Sequence, residues 1–76
     1  MFSNISIPSG ATGYVDLSAT LSPAPSLLYV VGFVIGGSAD VVVTQIYISS
    51  DNKLHARLRN LGNGSLNNIS LNVLYV

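Results

Sequence analysis

No segment of this chain keeps the period of a helix. Val, Ile, Tyr and Thr fall instead in short runs, broken by clusters of Gly, Pro, Asn and Ser about every eight to twelve residues, the rhythm of a β-sandwich or small barrel. The clearest run is Lys53 to Asn60. Successive side chains of an extended strand point to opposite sides. Leu54, Ala56 and Leu58 therefore share an inner face, and Lys53, His55, Arg57 and Arg59 share an outer one.

The same reading along the chain predicts five firm strands and a weak one in a single domain, residues 1–76. Phe2 to Ile7 is the weak strand, and residues 1–10 are a candidate short N-terminal arm. Thr12 to Ser18 follows. Ala19 to Ser26 holds Pro23 and Pro25, which cannot donate to a ladder, so it reads as a crossing loop. Leu27 to Ile35 and Asp40 to Ser49 each show apolar residues on both faces, which calls for a second layer or a partner chain on top of them. Ser50-Asp51-Asn52 reads as a turn, because Asp and Asn tolerate left-handed backbone. Asn63-Gly64 is the strongest hairpin signal in the sequence. It predicts that Lys53–Asn60 pairs with the last strand, Asn67 to Val76, and that the C-terminal half is a meander. The expected fold is an all-β antiparallel sandwich or small barrel of five to six strands.

Size and charge say how such a domain is kept stable and soluble. A chain of 76 residues buries only about 60% of its unfolded surface and usually needs a staple. Cysteine is absent and His55 is the only histidine, so neither disulfides nor a zinc site can serve, and no cofactor is expected. Charged residues make up 8% of the chain, against about 25% in ordinary soluble domains. The net charge is zero. Surface that carries so little charge is expected to be covered by other copies of the chain. Leu28, Val30, Val34, Val41 and Val43 are the candidate interface. The apolar run from Leu27 to Ile35 falls far short of the roughly 20 residues of a membrane helix, so no membrane insertion is expected. Phe2-Ser3-Asn4 after Met1 gives no basic n-region, so no secretion signal is expected either.

Few residues could carry chemistry. The row Lys53, His55, Arg57 and Arg59, spaced about 7 Å per step, could line up cations for an anionic ligand. The reading to prefer is the solvated side of an amphipathic strand, or one side of inter-chain salt bridges to Asp16, Asp40 or Asp51. Nucleic acid is not an expected partner, since that needs net positive charge and a broader basic surface. Three scattered aspartates and one histidine give no acid–base pair or triad by spacing, so the chain is not expected to be an enzyme. Tyr14 and Tyr47 are candidate stacking platforms for a sugar ring, whereas Tyr29 and Tyr75 follow the core parity of their strands.

Short strands rich in Val, Ile, Asn and Ser, little charge, no cysteine, and the ending "KLHARLRN" followed by "NGSLNNISLNVLYV" resemble the terminal knob or tip domains of viral and bacteriophage fibres. The resemblance implies a homo-oligomer, with a trimer as the expected form, located in the virion. It also implies a structural or receptor-binding role, with host glycan or another virion protein as partner. It assigns no binding residue. The alternatives from other classes are a monomeric carbohydrate-binding module and a capsid decoration protein.

Overall fold

Inward-pointing aliphatic residues of six strands close on one another as a two-layer sandwich. The computed structural model describes residues 2–76. The strands are β1 (Phe2–Ile7), β2 (Tyr14–Thr20), β3 (Val30–Gly36), β4 (Val41–Ile48), β5 (Lys53–Asn60) and β6 (Leu66–Tyr75). One sheet has the order β1-β6-β3 and the other β2-β5-β4, with every pairing antiparallel. Among the described residues no helix is long and apolar enough to cross a membrane.

The core lies between the two central strands. Ala56 and Leu58 of β5 face Ile69 and Leu71 of β6, with Ile5 and Ile7 of β1 and Val41 of β4 closing the sides. Ile7, Leu54, Leu58, Ile69 and Leu71 are fully buried. Each such side chain contributes about 1.5–3 kcal/mol of transfer free energy. β1 is therefore an integral strand, and not an arm, because it supplies two buried isoleucines.

Bulges explain why two strands look apolar on both faces. In β4, Val43 pairs with Leu58 and Gln45 with Arg57, so Thr44 is an extra residue. One extra residue reverses the parity of everything after it. Val41, Val43, Ile46 and Ile48 consequently all point inward, and Val42, Gln45 and Tyr47 point out. The Thr44 hydroxyl donates to the Arg57 carbonyl at 3.3 Å. Val41 and Val43 thus lie inside the sandwich under the second sheet, which corrects their assignment to an inter-chain surface. β3 has its extra residue at Val31, after which Phe33 and Ile35 lie on the Val73/Leu71 side. In the β1–β6 pair, Asn4 and Asn68 take φ of 53° and 58° where the register shifts. Asparagine is the side chain that tolerates such left-handed positions best after glycine.

The connections differ from the expected meander. β4 and β5 do form a hairpin: Asn52 N–H donates to Ser49 O at 3.0 Å, and Asn52 has φ of 63°. β5 and β6, however, belong to different sheets, so Asn63-Gly64 is not a two-residue hairpin, and neither residue has positive φ. The link from β3 to β4 also crosses between sheets. It turns at Gly37, where φ is 105° and an added Cβ would sit 2.7 Å from the Asn68 carbonyl oxygen.

Asn60 holds the crossing from β5 to β6. Its side chain is 3% exposed. Nδ2 donates toward Gly64 O at 2.8 Å, Pro8 O at 3.1 Å and Ile7 O at 3.3 Å, and Oδ1 accepts from Gly62 N–H at 2.8 Å. The neighbouring backbone adds Asn60 N–H to Gly13 O at 2.8 Å and Leu61 N–H to Asp40 O at 2.7 Å. One end of the sandwich is thereby tied across four chain segments.

Candidate functional site

The outer face of β2-β5-β4 gathers most of the polar chemistry of the chain. Register places Tyr14 opposite Arg59, Asp16 opposite Arg57 and Ser18 opposite His55. On the other flank of β5, Val42, Gln45 and Tyr47 stand opposite Arg59, Arg57 and His55. Side chains directly opposite on one face have Cβ atoms about 4.5–5.5 Å apart, so each row forms a contact set.

The central row is an ion pair. Arg57 Nε donates to Asp16 Oδ1 at 2.7 Å and Nη2 to Oδ2 at 3.2 Å, a two-point contact that fixes both planes. The guanidinium carbon also lies 4.8 Å from the centroid of the Tyr14 ring. The hydrogen bond from Arg57 holds the Asp16 carboxyl below the usual carboxylate range and, reciprocally, Asp16 raises Arg57.

The next row is aromatic. Tyr47 and His55 stack with centroids 4.8 Å apart and planes 15° from parallel. His55 Nε2 is 3.0 Å from Ser49 Oγ, and the Ser49 hydroxyl also meets the carboxylate of Asp51. That contact holds the Asp51 carboxyl low. A hydroxyl has one proton to give. Ser49 Oγ also lies 3.2 Å from Lys53 O, so Asp51, Lys53 and His55 compete for one hydroxyl. Proximity thus brings serine, histidine and aspartate together, but with the acid on the serine, whereas in a hydrolytic triad histidine takes the serine proton and the acid sits on the far ring nitrogen.

The remaining cations are also engaged. Lys53 Nζ is 4.0 Å from Asp51 Oδ2, and Arg59 Nη2 donates toward Gly10 O at 3.5 Å. Asp16 and Asp51, supplied from the same chain, balance Arg57 and Lys53, while Arg59 keeps its charge against a backbone carbonyl. Between the ion pair and the stacked rings lies a depression of about 290 Å³, bordered by Asp16, Ser18, Gln45, Tyr47, His55 and Arg57.

Of the residues singled out in the sequence, Lys53, His55, Arg57, Arg59, Tyr14 and Tyr47 thus share one face. Asp16 was one of three aspartates named as possible partners of the row, while Ser18, Gln45 and Ser49 were not legible as members of the face, because membership depends on the β2–β5 register and on the Thr44 bulge. The apolar candidates divide. Val41 and Val43 are internal, while Leu28, Val30 and Val34 belong to the β3 edge of the other sheet. Tyr29, expected in the core, is exposed, and Tyr75 is half-buried with its hydroxyl donating to Pro23 O at 2.8 Å. Compared with protein-family models, with curated proteins and with solved structures, the chain matches none.

Proposed function

We propose that this chain is a non-enzymatic structural and binding domain of a virion, working as a homo-oligomer and contacting host surface glycan through the outer face of β2-β5-β4. The observation that carries the reading is the pairing of an exposed, stacked Tyr47 with a fixed Asp16–Arg57 pair around one shallow depression. A sugar ring offers a C–H face to an aromatic ring, and its vicinal hydroxyls can donate to a carboxylate while accepting from a guanidinium. The volume is at the small end of ligand sites, which start near about 300 Å³, and suits one or two sugar units. Because Arg57, the cation at the depression, is paired with Asp16 of the same chain, the ligand is a neutral glycan. The virion setting draws its support from the charge-poor, cysteine-free sandwich itself.

A glycan array followed by titration calorimetry tests this. Binding is expected to neutral glycans and to weaken on Tyr47→Ala by roughly fivefold, the equivalent of about 1 kcal/mol of aromatic contact. Asp16→Asn is expected to weaken it as well. An array with no binding, or binding indifferent to Tyr47→Ala, would refute the reading.

A further inference from the structure

We infer that the β3 edge is a self-association surface, on which β3 of a second copy pairs antiparallel about a twofold axis to make a continuous six-stranded sheet. This deepens the homo-oligomer part of the function proposed above and replaces the threefold arrangement with a twofold one.

Four strand edges are open in the sandwich, and three are guarded. β1 is broken by the left-handed Asn4 and stops at Pro8, β2 carries Asp16, and β4 is interrupted by Thr44. Bulges, charges and prolines are the devices that stop one sheet from adding to another. β3 has its irregularity at the first step only. From Gly32 to Gly36 it runs in regular register with β6, free of charge and proline, at the end of the strand order. The backbone groups of that stretch that face away from β6 lack a strand partner among the described residues.

The side chains around this edge have the same character. Val31 is 65% exposed, Val34 63% and Leu74 58%, and Leu27, Leu28, Tyr29, Phe33 and Val76 are exposed beside them. All eight belong to β3, to the segment before it, or to the end of the chain that pairs with that segment through Tyr29 and Val76. Each of the eight keeps between 36% and 65% of its surface in water, and a standard stable interface takes about 800 Å² from each partner. The largest patch on a typical monomer is roughly 300–600 Å².

Charge selects the occupant. From Leu17 to Ala39 there is no charged residue. A charged partner strand would leave its own charges unpaired against this edge. A second copy leaves none, and a twofold axis lets each residue that gives a contact also receive it.

The test is the mass of the full chain in solution by light scattering at micromolar concentration. About 16 kDa is expected, twice the 8.0 kDa of the chain. Val34→Lys is expected to give the single-chain mass with an unchanged far-ultraviolet circular dichroism spectrum, since that side chain is already in water. Thr20→Lys, on the β2 edge, is expected to leave the doubled mass intact. Hydrogen exchange provides a check that needs no variant: the amides between Gly32 and Ile35 that face away from β6 lose protection on dilution if the inference holds. A single-chain mass for the unaltered protein overturns both this inference and the homo-oligomer reading. A trimer, or a dimer indifferent to Val34→Lys with β3 amides unprotected, overturns this inference alone.

Discussion

Removing the Asn60 side chain at the β5–β6 crossing should unfold much of what the small core holds. Asn60→Ala deletes the amide that serves three carbonyls and one N–H. A hydrogen bond is worth a net of about 1 kcal/mol, and a buried group left without a partner costs about 1–3 kcal/mol. Gly64 is exposed, so water can replace the amide there, whereas Ile7 is fully buried. A loss of about 3–4 kcal/mol follows. The whole domain should hold only about 4–11 kcal/mol, at 0.05–0.15 kcal/mol per residue. At about 4–8 °C per kcal/mol for this size, the melting temperature should fall by about 12–32 °C. Urea unfolding followed by circular dichroism measures it, with protein concentration held fixed because association also stabilises the folded state. Asn60→Asp is the sharper case. It keeps the size but sets a carboxylate against three carbonyl oxygens, so at neutral pH it should be less stable than Asn60→Ala, with the gap closing on acidification. A loss below about 1 kcal/mol for Asn60→Ala would mean that water serves these backbone groups and that the side chain ties nothing.

Two glycines should behave oppositely to what their sequence contexts suggest. Gly37→Ala meets both positive φ and a carbonyl oxygen at 2.7 Å, and should cost more than about 1 kcal/mol; Gly64→Ala has open space and should stay within about 0.5 kcal/mol. Equal melting temperatures for the two variants would refute this. The folded-state carboxyls of Asp16 and Asp51 lie below their unfolded values, so their contribution is present above the unfolded value and is lost as pH falls through the lower folded one. Thermal melts from neutral pH downward should show a small loss of stability in the acid range that disappears in the Asp16→Asn, Asp51→Asn double variant. A loss of the same size in the double variant would place its origin elsewhere.

How much of this could be read from residues alone depended on whether a strand was regular. β5 was legible to the residue, because Lys53–Asn60 alternates without interruption and carries no bulge of its own, the irregularity of the β4–β5 pair lying in β4. β4 was legible as a strand but not in its faces: nothing about Thr44 announces that it will be skipped, and skipping it turns an apparently two-faced strand into one with a single apolar side. Asn63-Gly64 misled for a related reason. The dipeptide favours a tight reversal only when the flanking strands are neighbours in one sheet, and here Asn60 diverts the chain across the core. Asn60 itself gave no signal, since a polar residue at the end of a strand ordinarily faces water. For the candidate site, the period of β5 put the four cations on one side, and the flanking tyrosines followed. The pairing of Arg57 with Asp16 required knowing that β2, thirty or more residues upstream in chain order, lies beside β5.

The strand order also governs the sequence of events by which the chain finds its fold. Only the turn at Ser50–Asn52 joins strands that pair with each other; every other pairing brings together segments far apart along the chain. Contacts of that kind fold slowly, in about milliseconds to seconds for sheet proteins, so the β4–β5 hairpin is the natural first structure. β6, made after β1 to β5, is the central strand of its sheet and, among the described residues, the sole ladder partner of both β1 and β3. Until it emerges, two apolar strands have nothing to lie against, and the nascent chain carries them exposed. Loss of β6 would therefore dissolve an entire layer, where loss of an edge strand would only narrow one.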